Sequence, residues 1–210
     1  MVQSKTVIIA TGAAPRYLGL ENEMTLVGHG VTSCATCDGA FYRDVPVAVV
    51  GGGDSACEEA NFLTRFASKV YLIHRRDELR ASKIMADRVL ANEKVEPVWD
   101  SGITEYLTDE EGEVRAVNLE NLKTGGKSEL EVKCVFVAIG HVPNSQFVGG
   151  LVDLDENGYV LQNPHSTSTK TPGLYAAGDV ADHIYRQAIT ASGQGCAAAI
   201  EAERYLADSE

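Results

Sequence analysis

The run Val47-Ala48-Val49-Val50 breaks off at Gly51-Gly52-Gly53-Asp54-Ser55-Ala56, and this junction constrains the fold more than any other feature. Four consecutive apolar residues, mostly β-branched, suit a strand buried on both faces of a parallel sheet. Past the glycines, Ala56, Ala60, Leu63 and Ala67 fall on one stripe, which predicts a helix over Asp54 to Ala67. Val70-Tyr71-Leu72-Ile73 then reads as a second strand. A glycine-rich turn alone is common. Strand, turn, helix and strand in this order are the context a dinucleotide site needs. In that role Gly51 permits the tight turn, Gly53 lets the backbone approach a pyrophosphate, and Ala56 lets the helix pack close.

The pattern continues with an amphipathic helix over Arg80 to Ala91. Strands are expected at Val95 to Val98, Gly102 to Thr108, Val114 to Leu122 and Glu129 to Val132. Cys134 to Ala138 returns the chain to the parallel sheet. A short repeat sets the larger architecture. Val7-Ile8-Ile9-Ala10-Thr11-Gly12-Ala13-Ala14-Pro15 matches Val135-Phe136-Val137-Ala138-Ile139-Gly140-His141-Val142-Pro143, both ending in Ala-x-Gly-x-x-Pro. The second copy closes the unit that opens at Gly51. The first should close a similar unit, yet only six residues precede it and no glycine fingerprint stands upstream. One of two nucleotide domains is therefore expected to lack its front half. Near the other end, Leu174-Tyr175-Ala176-Ala177-Gly178-Asp179 is a strand ending in Gly-Asp before a helix over Gln187 to Leu206. Such a carboxylate can accept from sugar hydroxyls while the helix N-terminus faces the ligand.

The end of the second strand carries the choice of nucleotide. An NAD site places an acidic residue there for the ribose 2′-hydroxyl. This chain has His74-Arg75-Arg76, with Arg80 beyond. Guanidinium groups bind a 2′-phosphate through paired, charge-assisted hydrogen bonds, so NADPH is the expected nucleotide rather than an idle basic patch. Just ahead of the fingerprint stands Cys34-Ala35-Thr36-Cys37-Asp38-Gly39. Two cysteines at this spacing can close a readily reduced disulfide, or form half of a zinc site. Zinc would need two further soft ligands at matching spacing, and Cys57, Cys134 and Cys196 stand singly. No metal is expected. Those three cysteines read as small apolar core residues. Asp38 adds a proton carrier beside the second sulfur.

Composition narrows the partners. With 18 basic and 30 acidic residues the formal net charge is −12. That argues against sequence-independent nucleic-acid binding, which needs a basic face. Apolar runs are too short to span a bilayer, and no signal peptide is visible, so a soluble cytoplasmic protein is the default expectation. Outside the nucleotide turn, His29, His141 and His183 are expected in ordinary hydrogen bonding, and His165 is expected in a polar loop.

Taken in order, Cys-Ala-Thr-Cys-Asp-Gly, Gly-Gly-Gly-Asp-Ser-Ala, His-Arg-Arg-x-x-x-Arg, Ala-Ile-Gly-His-x-Pro-Asn and Gly-Asp-Val-x-Asp-His-x-Tyr-Arg-Gln-Ala resemble the low-molecular-weight, bacterial-type thioredoxin reductases along essentially the whole chain. The resemblance implies an α/β, Rossmann-like flavoprotein of two dinucleotide-binding domains, in the pyridine nucleotide-disulfide oxidoreductase class, with its FAD domain incomplete. Residues 1–16 and 142–210 would belong to the FAD domain and residues 17–141 to the NADPH domain. NADPH would be held by Gly51, Gly53, Asp54, Ser55, His74, Arg75, Arg76, Arg80, Ile139 and Gly140. FAD would be held by Thr11, Gly12, Cys37, Gly178, Asp179, Arg186, Gln187 and Ala188. Electrons would pass from NADPH to FAD, to the Cys34–Cys37 disulfide, and on to thioredoxin. Cys37 would face the flavin, Cys34 would attack the partner, and Asp38 would serve as acid and base. Hinges at Gly12 to Arg16 and Gly140 to Asn144 would let the domains rotate, and the protein would pair as a homodimer. Two alternatives stand beside this. One is a catalytically inactive NADPH-binding fragment of such a reductase, binding FAD weakly. The other is a flavin dithiol oxidase, which would not need the arginine trio.

Overall fold

The computed structural model describes residues 3–208. The chain divides into two compact units, one over Pro15–Gly140 and one built from the segments before Pro15 and after Gly140. In chain order the strands and helices are β1 (Val7–Ile9), β2 (Ala13–Pro15), β3 (Val31–Thr32), α1 (Ala35–Asp38), β4 (Pro46–Val50), α2 (Asp54–Leu63), β5 (Lys69–Ile73), α3 (Lys83–Leu90), β6 (Val95–Val98), β7 (Ser101–Thr108), β8 (Val114–Asn121), β9 (Lys127–Glu131), β10 (Cys134–Val137), β11 (His141–Pro143), β12 (Leu174–Ala176) and α4 (Ala188–Ala207).

The Pro15–Gly140 unit is a three-layer sandwich. Its middle layer is a five-stranded sheet in the order β3-β10-β4-β5-β6, parallel at every pairing. Val47, Ala48 and Val49 are fully buried, as a strand covered on both faces requires. On one face α2 lays Ala56, Cys57, Ala60 and Leu63 against Val47, Val49, Leu72 and Phe136, and Val89 of α3 joins the same cluster. On the other face the antiparallel meander β7-β8-β9 packs Ile103, Tyr106, Val114, Val117 and Leu119 against Ala48, Val50, Val135 and Val137. Burying side chains of this size stabilises the fold by about 1.5–3 kcal/mol each. Chain order reverses at β4, which pairs with β5 on one side and β10 on the other. In an open α/β sheet, ligands bind outside the strand ends at such a point.

Two helices differ from the expected bounds. The stripe to Ala67 ends early because Arg65 N–H and Phe66 N–H donate to carbonyls three residues back, tightening the chain out of α-geometry after Leu63. The helix expected from Arg80 begins at Lys83. Arg80 and Ala81 amides instead donate to Gly52 O at 2.6 and 3.1 Å.

In the other unit β1 and β12 pair in parallel, Ile8 opposite Tyr175. Ala198 and Ala202 of α4 pack on Tyr175 and Ala177, while Ile9, Val148, Val152, Val160, Ala176 and Val180 form a second cluster. The two copies of the sequence repeat adopt the same course. Each strand is followed by a glycine at positive φ, Gly12 at 71° and Gly140 at 103°. Each then enters a short strand ending in proline, and β2 and β11 pair with one another. The amide of Asn144 donates to Gly12 O and that of Arg16 to Gly140 O, both at 2.9 Å.

Candidate active site

The dithiol motif is set at the end of a sheet strand. β3 stops at Thr32, and two residues later Cys34, in extended conformation, caps the single turn α1. Cys34 and Cys37 are joined in a disulfide. Cys37 N–H donates to Cys34 Sγ at 3.2 Å, and Asp38 N–H donates to Cys34 O at 3.1 Å. Cys37 is exposed, while Cys34 and Asp38 are half-buried. Beneath them Gly39 is buried against α2, where an added Cβ would lie 2.8 Å from Leu63 Cδ2. The helix of the nucleotide turn therefore also floors the redox motif. The Asp38 carboxylate accepts from Thr32 Oγ1 at 2.5 Å, a contact the sequence does not announce.

The nucleotide turn lies at the ends of β4 and β10. Gly51 has φ 155°, and an added Cβ would fall 2.5 Å from Ala138 O and 2.7 Å from Ala56 Cβ. Only glycine fits there. Gly53 is the reverse: extended, at the N-cap of α2, with nothing within 4 Å of its missing Cβ. Its backbone, followed by exposed Asp54 and Ser55 in the first helical turn, forms an open cradle suited to a phosphate group. Ile139 and Gly140 follow β10 beside the same turn, and Ile139 is exposed.

Arg75, Arg76 and Arg80 are all exposed, and among the described residues no ion pair engages them. Their loop is latched to the turn. Besides the bonds to Gly52 O, Ser82 N–H and Ser82 Oγ donate to Asp54 Oδ1 at 2.8 and 2.9 Å. Ser82 was not legible as part of the site, and Asp54 spends one carboxylate oxygen on this latch. His74 differs from the arginines. It is buried beneath the turn, its ring so close to Gly52 that an added Cβ there would sit 2.2 Å away. Burial above all, with Arg80, Arg75 and Arg76 nearby, lowers the pKa of its imidazole, against an opposing backbone hydrogen bond at Glu78.

The Gly-Asp segment lies in the other unit. Gly178, at φ 76°, donates its amide to Gln194 Oε1 at 2.8 Å. Asp179 has a buried Oδ1 without a hydrogen-bond partner among the described residues. Burial and the neighbouring Asp182 raise its carboxyl, and Arg186 opposes them. Asp182 accepts from the amides of Ile184 and Tyr185, while its Oδ2 is also buried and, among the described residues, unpartnered. The turn they hold leads to Arg186 at φ 48°, then Gln187 as N-cap of α4 and Ala188 as its first residue. Orphaned carboxylate oxygens fit the hydroxyl donors of a flavin's sugar-alcohol chain. Thr11 and Gly12 are committed elsewhere in the same unit: Thr11 Oγ1 donates to Asn144 O at 2.6 Å, and Thr11 O and Gly12 O both accept from Asn144.

Of the three single cysteines, Cys57 and Cys134 are fully buried, with thiols pushed up by burial to about 11 and about 12. Cys196 corrects the core expectation. It lies exposed on α4, whose inward face is carried by Ala198 and Ala202.

Residues 1–195 match the family model of the pyridine nucleotide-disulphide oxidoreductases. The chain belongs to this family. It is 55% identical over 208 residues to a thioredoxin reductase of Mycolicibacterium smegmatis, covering 99% of this chain and 66% of that protein. It is 52% identical to the bifunctional thioredoxin reductase/thioredoxin of Mycobacterium leprae, covering 98% of this chain and 44% of that one. Among solved structures, the thioredoxin reductase from Streptococcus pyogenes superposes with a TM-score of 0.91 at 45% identity, over 97% of this chain and 66% of the other. The chain thus spans a little under two thirds of the length of the Mycolicibacterium smegmatis and Streptococcus pyogenes proteins and under half of the Mycobacterium leprae one.

Proposed function

We propose that this chain carries the NADPH-binding and dithiol machinery of a thioredoxin-disulfide reductase. The observation that carries the reading is a Cys34–Cys37 disulfide in the same compact unit as a glycine turn flanked by three uncommitted arginines. Gly51, Gly53 and Ser55 would bind the pyrophosphate, and Arg75, Arg76 and Arg80 the 2′-phosphate. FAD, when bound, would supply the two-electron relay between nicotinamide and disulfide. Asp179, Arg186, Gln187 and Ala188 would hold it.

The dithiol step then needs only this chain's residues and a disulfide substrate. Asp38 takes the Cys34 proton as the Cys34 thiolate attacks one sulfur of the substrate disulfide. That S–S bond breaks, a mixed disulfide to Cys34 forms, and the first substrate thiol leaves with the proton. Cys37, giving up its own proton, attacks Cys34 Sγ. The second substrate thiol leaves protonated and the Cys34–Cys37 disulfide re-forms. Two electrons and two protons have moved to the substrate.

Thioredoxin as that substrate, pairing as a homodimer and a cytoplasmic setting belong to the same proposal. They are supported by the relatives' identity and by the resemblance of the motifs. Among the described residues no helix is long and apolar enough to cross a membrane. A second reading, a nucleotide-binding dithiol module that does not turn over alone, is favoured by the disulfide and the glycine turn lying together in one compact unit. The test supplies the purified chain with NADPH, FAD and oxidised thioredoxin and counts thioredoxin thiols. Thiols formed with NADPH and not with NADH support the reductase. Thiols formed only after chemical reduction of the chain select the second reading. No thiols under either condition overturn the thioredoxin assignment.

A further inference from the structure

Thr32 is nearly fully buried and stands at the last position of β3, where the parallel sheet hands the chain to the redox turn. Its position is fixed by pairing, since Phe136 of β10 is its register partner. Its hydroxyl makes two contacts of different kinds. Oγ1 donates to Asp38 Oδ2 at 2.5 Å and accepts from the Cys34 amide at 3.2 Å. A hydroxyl has one proton and two lone pairs, so both bonds can be made at once in one orientation. That orientation directs the only hydroxyl proton at the carboxylate. The two groups tied together are the one that attacks and the one that carries the proton in the proposed exchange step, and the tie runs through a buried residue of a sheet strand.

We propose that Thr32 is a positioning residue for dithiol exchange, holding the Asp38 carboxylate in register with Cys34 by a hydroxyl bridge anchored in the central sheet. The proposal rests on the dithiol reading above. Without the bridge, Asp38, half-buried on a four-residue turn, loses the contact that fixes its side chain. The electron and proton movements of the exchange are unchanged. What falls is the fraction of encounters in which the proton acceptor is in place when Cys34 attacks.

The experiment uses the full chain reduced with dithiothreitol and desalted, without flavin or nucleotide. Loss of the Cys34–Cys37 dithiol is followed by rapid alkylation and peptide mass mapping, so that exposed Cys196 does not enter the signal. The oxidants are a small aromatic disulfide, 5,5′-dithiobis(2-nitrobenzoate), and oxidised thioredoxin. Proton-transfer assistance is worth roughly 10²–10⁴-fold, so losing the positioning of the acceptor should slow exchange about tenfold in Thr32→Val. Thr32→Ser, which keeps the hydroxyl, should restore the rate to within about threefold, on the scale of a lost methyl contact. In an Asp38→Asn background, Thr32→Val should have no further effect, because the two residues act as one unit. Should Thr32→Val melt early, Thr32→Ala is read in its place by the same comparison. Wild-type rates in Thr32→Val, or equal slowing by Thr32→Val and Thr32→Ser, overturn the proposal. So does a full additive loss in the Asp38→Asn background. A Thr32 effect with the small disulfide and no reaction of the wild-type chain with thioredoxin upholds Thr32 and overturns the thioredoxin assignment instead.

Discussion

Arg75, Arg76 and Arg80 stand in water with their charges uncommitted, which is the state a phosphate-reading loop needs before its ligand arrives. A hydrogen bond to a charged group is worth about 1.5–3 kcal/mol, so Arg76→Ala should weaken NADPH by that amount and leave NADH nearly unchanged. Calorimetric titration of both nucleotides checks it, and equal losses for the two would show that the guanidinium does not read the 2′-phosphate. The cysteines separate by burial in the same way. Mild alkylation of the oxidised chain should label Cys196 readily and spare Cys57 and Cys134, and reduction should add Cys34 and Cys37 to the labelled set. Peptide mapping reads this directly, and early labelling of Cys134 would contradict its burial in strand β10 of the sheet. Cys134 also predicts a pH effect. Its thiol is raised by burial from about 9 to about 12, so the folded chain retains a proton that the unfolded chain gives up. Stability from this group is complete below pH about 9 and is lost as pH rises towards about 12. Urea unfolding between pH 8 and 10.5 should therefore show a decline that Cys134→Val makes shallower, a range chosen within about two units of the ordinary thiol value.

At the scale of elements, α2 serves both sites: its N-terminus faces the nucleotide turn and Leu63, near its end, lies under Gly39 of the redox motif. Leu63→Ala should cost about 2–5 kcal/mol of unfolding free energy, as for other buried leucines, and should loosen the turn above it. Denaturant titration measures the first, and a loss below about 1 kcal/mol would mean the site refills. The latch makes a second claim. Asp54→Ala removes the carboxylate acceptor for both Ser82 donors, so NADPH affinity should drop as the arginine loop loosens. Unchanged affinity would show that the two bonds to Gly52 O suffice. Local pattern made β4, the glycine turn and α2 legible in the sequence, because β-branched runs and a 3.6-residue stripe are written in neighbouring residues. The repeat was legible for the same reason. The start of α3 was not, since Arg80 and Ala81 give their amides to a carbonyl 28 and 29 residues earlier in the chain. Nor was the exposure of Cys196, which depends on which side of α4 meets the sheet. Thr32 and Ser82 look like ordinary turn residues until folding sets Asp38 and Asp54 beside them.

On the scale of the whole molecule, two compact units are joined at Ala14–Pro15 and Gly140–His141, where the two repeat copies end in their paired strands. The glycine turn and the dithiol share one unit, and the Gly178-Asp179 segment belongs to the other. In the proposed function the dithiol of this chain passes its electrons to thioredoxin through Cys34. The most direct measurement is a single turnover in which the reduced chain, freed of reductant, is mixed with one equivalent of oxidised thioredoxin and quenched with acid over time. Reduced thioredoxin should approach one equivalent with the wild-type chain, none should form with Cys34→Ser, and Cys37→Ser should trap a mixed disulfide through Cys34. Thioredoxin left oxidised by the wild-type chain, or a mixed disulfide formed only through Cys37, would contradict the proposal.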